Sequence, residues 1–154
     1  MAGFMANEVK VNFLGRLNQL PPKLKATMVE TMKTTRNNKK ITFNIMVNYG
    51  GRAELVDAFK QMAKDRLKPA QITEKTIGKN LYTKGIPDPE LLIRTASEMR
   101  ISNFLLWQIA YSELYITPVL WPDFKGKQLQ QAIADYQKRT RKFGQTDEQV
   151  KNKG

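Results

Sequence analysis

Two arginines and a serine stand close after a predicted strand, and these residue types suit an anionic ligand. The apolar run 90–93, bounded by Pro87-Asp88-Pro89, predicts a strand that is buried on both faces. Arg94 follows this run directly, and Arg100 and Ser102 come after a turn at 96–98. Because open parallel sheets bind ligands beyond the carboxyl ends of their strands, these side chains predict a site for a phosphate or diphosphate.

The apolar segment 104–116 is expected to continue this site as a helix. Ser102 or Asn103 precedes the segment and would serve as its N-cap. A helix N-terminus offers free N–H groups and the positive end of the helix dipole to an anion. The predicted order is therefore strand, arginine, turn, arginine and capped helix.

An alternative interpretation of the two arginines is purely structural. Arg94 and Arg100 could be surface ion-pair partners of Glu90 and Glu98, which lie close to them in the sequence. Isolated motif matches carry false positives. Residue chemistry alone leaves the two interpretations open.

Five stretches resemble the signature blocks of the cis-prenyltransferases, the undecaprenyl diphosphate synthase family. They are LLIRT at 91–95, RISNFLLWQ at 100–108, SELY at 112–115, LWPDF at 120–124 and, earlier in the chain, NYGGRAE at 48–54. The resemblance covers residues 8–144, which match the C-terminal portion of a family member. It implies an α/β fold, with a parallel sheet that has helices on both faces and lacks the family's N-terminal strands.

The resemblance also implies an activity, the condensation of isopentenyl diphosphate with an allylic diphosphate to make a polyprenyl diphosphate. Arg94, Arg100 and Ser102 match the family positions that hold the diphosphate of isopentenyl diphosphate, and Glu113 matches an acidic residue associated with Mg²⁺. A carboxylate suits a divalent ion bound to diphosphate. On one straight helix Ser102 and Glu113 would be about 16 Å apart. The helix is therefore bent, its start is not helical, or a second subunit intervenes.

Four further residues are weaker candidates for the same site: Asn48, Arg52, Glu98 and Lys142. Asn48 and Arg52 flank two glycines that permit a close backbone approach at the end of a predicted strand. Lys142 stands where the family has the arginine of an Arg-x-Gly motif that reaches a diphosphate across the dimer interface. Lysine keeps the charge of that arginine but loses its bidentate fork.

Two departures from the family bear on catalysis. The family's Asp-Gly-Asn-Gly-Arg-Trp motif, whose aspartate binds metal, is absent from the 154 residues, so no catalytic residue is assigned. Met99 stands where many members have histidine, and a thioether neither carries protons nor binds hard metals. The resemblance thus leaves open an enzyme, a truncated fragment of one, or a non-catalytic subunit that complements another chain.

Composition narrows the classes of function. The 154 residues contain no cysteine and no histidine, which excludes disulfides, thiolate metal sites and histidine-based triads. The formal charge of +12 favours anionic partners such as diphosphates, acidic lipid headgroups or nucleic acid. A nucleic-acid-binding domain is a remote alternative, because nothing beyond charge supports it. The simplest interpretation of the charge is a solvated basic surface without a specific ligand. We expect a cytoplasmic protein, with contact at the membrane surface as an option.

Periodicity places the remaining elements. Strands are expected at 8–14 and 41–47, and helices at 23–38, 54–66, 71–80 and 128–143. Thr73 is the predicted cap of the third helix, and Leu55, Phe59, Met62 and Ala63 are the predicted inward face of the second. Residues 1–144 are expected to form one domain and 145–154 a disordered tail. Because a sheet cut at its edge invites pairing, we expect a homodimer or a complementing partner.

Overall fold

The computed structural model of the protein describes residues 2–139. These residues alternate strands and helices, and they belong to two units that divide between Pro87 and Asp88. Each unit holds one pair of parallel strands, which confirms the predicted α/β class. The single parallel sheet expected from the sequence is thus described as two strand pairs. Every helix within residues 2–139 falls short of the length and hydropathy that a membrane-spanning helix requires.

The first unit is built on strands β1 (Val9–Leu14) and β2 (Ile41–Met46), after a short helix α1 (Ala2–Ala6). The two strands pair in parallel from Val9 opposite Ile41 to Leu14 opposite Met46. Helix α2 (Pro22–Thr35) connects them, and a proline at its first position costs no hydrogen bond. The predicted strands are confirmed, and the helix ends three residues before the predicted 38.

On the edge of β1 that does not face β2, backbone N–H groups donate to side chains of α2. The backbone N–H of Val11 donates to Thr35 Oγ1 at 3.1 Å, and that of Phe13 lies 3.4 Å from Met32 Sδ. Val11 and Thr35 are both almost fully buried. Since unpaired N–H groups at a sheet edge invite another strand, these contacts protect that edge.

Helix α3 (Gly51–Lys64) turns a different face inward from the one predicted. Glu54, Ala58 and Met62 are buried, whereas Phe59 is 49% exposed and Ala63 is exposed. The predicted face is wrong for those last two residues. Glu54, Ala58 and Met62 recur every four residues. A search for apolar periodicity assigns a glutamate to the solvent side, so it misses this face.

The first unit ends with helix α4 (Glu74–Gly78), which is shorter than the predicted 71–80. Thr73 is its N-cap, as predicted, and Thr73 Oγ1 accepts a hydrogen bond from the N–H of Thr76 at 3.2 Å. The segment 79–84 follows, and within it Leu81 and Thr83 are buried.

The second unit contains strands β3 (Leu91–Arg94) and β4 (Glu113–Ile116), which pair in parallel. The helix predicted over 104–116 is wrong. Residues 102–111 form a series of turns, with positive φ at Ser102, Asn103 and Leu105, and the chain then becomes extended. A helix requires negative φ throughout, and an apolar run by itself fits a buried strand or loop as well as a helix.

The second unit also contains helix α5 (Gly126–Gln137), preceded by a 3₁₀ turn (Trp121–Asp123). Helix α5 confirms that a closing helix exists, but it begins two residues before the predicted 128 and ends at Gln137, so the predicted extent is wrong for the described residues 138 and 139. Lys142 and the predicted tail 145–154 lie outside them.

Candidate functional site

Arg94 is the last residue of β3, and the backbone around it is held firmly. Its carbonyl oxygen accepts a hydrogen bond from the N–H of Thr117 at 2.9 Å, and two more backbone bonds join Ala96 to Val119 and Ser97 to Thr117. The Arg94 side chain is half-buried, and its Nε is buried without a hydrogen-bond partner among residues 2–139. A buried donor without an acceptor is costly, so this N–H group suits an anion.

Arg100 lies in the loop that follows β3, and it forms an ion pair with Glu98. Its Nη2 is 2.5 Å from Glu98 Oε2, and 73% of its side chain is exposed. The ion-pair interpretation is therefore correct for Arg100 with Glu98, whereas the described ion pairs include none of Arg94. The Glu98 side chain is 35% exposed and its Oε2 is buried, so the pair is exposed on the arginine side only. The Arg100 guanidinium, which is largely in solvent, can therefore also meet an anion that enters from outside.

Ser102 is exposed in the same loop, and its φ of +47° places it in the left-handed region. No helix begins directly after Ser102, since β4 is the next regular element among residues 2–139. The predicted helix cap and helix dipole are therefore not part of this site. Any affinity for an anion must come from the arginine side chains, from the Ser102 hydroxyl and from backbone N–H groups of the loop.

Glu113 is the first residue of β4 and pairs with Leu91, whereas Arg94 pairs with Ile116. Three residues along a strand correspond to about 10 Å, and side chains alternate between the two faces. Arg94 and Glu113 therefore lie at opposite ends and on opposite faces of the strand pair. One copy of the chain does not bring these two predicted site residues together.

The Glu113 carboxylate is held by an arginine that the sequence analysis did not single out. Glu113 Oε2 is 3.0 Å from Arg139 Nη1, and both side chains are 30% exposed. Arg139 also binds Asp135, four residues earlier, at 2.5 Å. The hydrogen bond to Asp135, and to a smaller extent the one to Glu113, raise the pKa of the Arg139 guanidinium above its ordinary value.

The fit of Glu113 to Mg²⁺ depends on what else binds the ion. Within the described part of the chain, no group of three or more acidic, histidine or cysteine side chains could enclose a metal. Mg²⁺ often binds through one or two carboxylates plus substrate phosphates and water. Glu113 therefore fits as a single protein ligand to an ion that a diphosphate also binds.

The weaker candidates Asn48 and Arg52 belong to the first unit. Asn48 has a φ of +48°, and its Nδ2 donates to the carbonyl oxygen of Arg16 at 3.2 Å and to Gln19 Oε1 at 3.1 Å. These bonds fix the loop after β1, which gives Asn48 a structural task. Arg52 is exposed in the first turn of α3.

A second polar cluster, formed by Arg16, Asp57 and Tyr82, was not anticipated from the sequence. Arg16 donates two hydrogen bonds to the Asp57 carboxylate, from Nε to Oδ2 at 2.8 Å and from Nη2 to Oδ1 at 2.9 Å. The Tyr82 hydroxyl donates a third hydrogen bond to the same carboxylate. The arginine bonds hold the pKa of Asp57 below its usual value, and burial raises the pKa of Tyr82 to about 12.

The same cluster borders an open cavity of about 580 Å³ and connects to buried Glu54. Glu54 accepts hydrogen bonds from the Tyr49 hydroxyl at 2.5 Å and from the backbone N–H of Tyr82 at 2.9 Å. These partners lie 5 and 28 residues away in the chain. No local pattern signals the contact with Tyr82, because it depends on how the chain folds back on itself.

Comparison with known proteins identifies the family. The family model described as "Putative undecaprenyl diphosphate synthase" matches residues 1–144. The isoprenyl transferase of Prochlorococcus marinus subsp. pastoris (strain CCMP1986 / NIES-2087 / MED4) is 53% identical over 140 residues, which cover 88% of this chain and 52% of that protein. The isoprenyl transferase of Fusobacterium nucleatum subsp. nucleatum is also 53% identical over 140 residues, covering 91% of this chain and 60% of that protein.

Two solved structures share the fold. Lavandulyl diphosphate synthase from Lavandula x intermedia, in complex with dimethylallyl diphosphate, has a TM-score of 0.84 and 36% identity, over 89% of this chain and 61% of that one. A probable undecaprenyl diphosphate synthase from Campylobacter jejuni also has a TM-score of 0.84, with 28% identity over 94% of this chain and 67% of that one.

These matches agree with the signature blocks and with the parallel strands that carry them. The chain spans 52 to 60% of the length of the two isoprenyl transferases that it matches. The resemblance read from residues 48–54 and 91–124 is confirmed, as is the undecaprenyl diphosphate synthase-like fold. The chain belongs to the undecaprenyl diphosphate synthase family of prenyltransferases.

Proposed function

We propose that this chain binds the diphosphate of isopentenyl diphosphate through Arg94, Arg100 and Ser102 and takes part in cis-prenyl transfer. The observation that carries the proposal is the buried Nε of Arg94, which has no acceptor among residues 2–139 at the end of a parallel strand. A diphosphate oxygen would supply that acceptor, and charge-assisted bonds to phosphate are among the strongest in proteins.

The reaction joins isopentenyl diphosphate to an allylic diphosphate. A carbon–carbon bond forms as the allylic carbon–oxygen bond breaks, inorganic diphosphate leaves, and a proton is lost from the isopentenyl unit. Arg94 and Arg100 would orient the isopentenyl diphosphate, so that the reacting carbon is held near its partner. The bound dimethylallyl diphosphate of the similar lavandulyl diphosphate synthase supports a prenyl diphosphate as ligand.

Magnesium enters the proposal through Glu113. Because Glu113 and Arg94 lie on opposite faces of one strand pair, an ion that binds both Glu113 and the diphosphate at Arg94 requires a second copy. We therefore propose a homodimer in which Glu113 of one copy serves the diphosphate held by the other. When bound, Mg²⁺ would neutralise charge on the diphosphate oxygens.

The sequence holds no Asp-Gly-Asn-Gly-Arg-Trp motif, so the source of the family's catalytic aspartate is part of the proposal. The chain either turns over substrate by itself or complements a polypeptide that carries this motif. We place the protein in the cytoplasm and assign the charge of +12 to anionic diphosphates and acidic headgroups, rather than to nucleic acid.

Calorimetry of isopentenyl diphosphate binding, with and without Mg²⁺, tests the diphosphate site. Arg94→Ala should weaken binding about tenfold to a hundredfold, because a hydrogen bond to a charged group contributes about 1.5–3 kcal/mol. Arg36→Ala removes an exposed arginine of the first unit and should bind like the wild type. Equal affinity in the wild type and Arg94→Ala would refute the site.

Product formation is measured separately with labelled isopentenyl diphosphate, farnesyl diphosphate and Mg²⁺. Polyprenyl product from the purified chain would establish an enzyme that acts alone. Product that forms only after addition of a polypeptide carrying the aspartate motif would establish a complementing subunit. Absence of product in both mixtures would contradict participation in prenyl transfer.

A further inference from the structure

Arg139 connects the C-terminal end of α5 to the start of β4. Its Nη1 binds Glu113 Oε2 at 3.0 Å and the carbonyl oxygen of Leu114 at 2.9 Å. Its Nε and Nη2 bind Asp135 Oδ2 at 3.1 and 2.5 Å. The guanidinium thus has partners on two elements, which fixes its plane as well as its position.

We propose that Arg139 is a positioning residue, which holds the Glu113 carboxylate in place to meet a diphosphate-bound Mg²⁺. The inference rests on the proposed function and names a residue that the family resemblance did not supply. Arg139 itself touches neither metal nor substrate in this scheme. It acts through the hydrogen bond to Glu113 Oε2, which leaves the second oxygen, Oε1, for the ion.

The charges of Glu113, Asp135 and Arg139 indicate that Arg139 positions the Glu113 carboxylate and does not compete with Mg²⁺ for it. A bare arginine beside a metal ligand would repel the dication. Here Asp135 balances the charge of Arg139, so the group of Glu113, Asp135 and Arg139 keeps a net negative charge. The arrangement resembles the outer-shell hydrogen bonds that orient carboxylate ligands, whose loss lowers metal affinity about tenfold to a hundredfold.

The test measures how much Mg²⁺ strengthens isopentenyl diphosphate binding, as the ratio of Kd without and with Mg²⁺ in calorimetry. Arg139→Gln should reduce this ratio about tenfold and change the Mg²⁺-free Kd by less than about twofold. Arg139→Lys, which keeps the charge but loses the fork, should recover part of the ratio. Lys138→Gln removes a neighbouring exposed charge and should keep the wild-type ratio.

A double variant separates positioning from general structural damage. In a Glu113→Gln background, Arg139→Gln should cause no further loss, because its effect passes through Glu113. An equal loss in both backgrounds would overturn the inference, as would a wild-type or raised ratio in Arg139→Gln. If Arg139→Gln does not fold by circular dichroism, Arg139→Lys is compared in the same two backgrounds. A wild-type ratio in Arg139→Lys, or an equal loss in both backgrounds, then overturns the inference.

Failure of the underlying function gives a different result. If the wild type does not bind isopentenyl diphosphate, or if Glu113→Gln keeps the full Mg²⁺ effect, the proposed metal role of Glu113 is wrong and the positioning role falls with it. If Glu113→Gln loses the effect while Arg139→Gln keeps it, only the positioning role is wrong.

Discussion

Arg94 and Glu113 lie on opposite faces of the β3/β4 pair, because Glu113 pairs with Leu91 and Arg94 pairs with Ile116. Alternation of side chains along a strand makes this relationship independent of side-chain rotation. Two residues predicted to share one diphosphate-metal site therefore cannot do so within a single copy of the strand pair. The proposed homodimer would supply the two residues of one site from different copies.

Mixing two variants with weakened binding tests the proposed shared site. Arg94→Ala and Glu113→Gln should each lose the tight, Mg²⁺-dependent binding of isopentenyl diphosphate that the wild type shows. After subunit exchange in equal amounts, about a quarter of the sites should recover, since half the dimers are mixed and each mixed dimer keeps one intact pair. Calorimetric stoichiometry measures the recovered fraction. No recovery, with mixed dimers verified by mass spectrometry, would contradict a site built from two copies.

Gly15 follows β1 directly and cannot accept a side chain. Its φ is +131°, and a Cβ there would lie 2.1 Å from the carbonyl oxygen of Val47. Gly15→Ala should lower the free energy of unfolding by about 3 kcal/mol or more, because both the backbone conformation and the contact must change. Urea denaturation measures the loss.

Gly126→Ala is the matched control for Gly15→Ala. Gly126 is the first residue of α5, and a Cβ there meets no atom within 4 Å. The unfolding free energy of the Gly126→Ala variant should stay within about 1 kcal/mol of the wild-type value. A Gly15→Ala variant as stable as this control would contradict the close approach of Gly15 to Val47.

Because of Asp57, the free energy of unfolding should fall as the pH is lowered into the acid range. Its pKa is lowered in the folded chain by hydrogen bonds from Arg16, whereas the unfolded value is about 3.9. The folded state therefore binds fewer protons, and the stabilisation present above about pH 4 is lost as pH falls through the lower folded pKa. Urea unfolding at stepped pH should show a shallower acid decline for Asp57→Asn than for the wild type.

Asp88→Asn serves as the control for this decline, because Asp88 is an exposed carboxylate. It removes the same charge without touching the Arg16 contact, and its acid decline should follow the wild type. If the unfolding free energies of the wild type and Asp57→Asn decline in parallel with falling pH, the Arg16–Asp57 pair does not stabilise the fold.

Tyr82 should limit stability at alkaline pH. Burial, with the hydrogen bond to Asp57, raises its pKa from 10 to about 12. The folded state keeps the phenol proton where the unfolded state loses it, so the unfolding free energy should fall between about pH 10 and 12. Tyr82→Phe should flatten that fall, and it should cost about 1 kcal/mol at pH 7 for the lost hydrogen bond. Tyr115→Phe, at a half-buried tyrosine of β4, is the control.

The sequence by itself determined the elements whose signals are local. Alternation between polar and apolar residues located β1, Pro22 marked the start of α2, and Thr73 capped α4. The signature blocks determined the family, because they depend on residue order and not on packing. The position of Arg94 at the end of a strand also follows from a local pattern, although the structure includes Arg94 in the strand itself.

Only the tertiary structure decided what the apolar segment 104–116 becomes and what its glutamate contacts. Burial favours apolar residues in turns, strands and helices alike, so the strand Glu113–Ile116 emerges only when β3 provides its hydrogen bonds. The Arg139–Glu113 and Arg16–Asp57 pairs join residues 26 and 41 positions apart. Such contacts leave no periodic trace in the sequence, because chain folding and not local propensity brings their charges together.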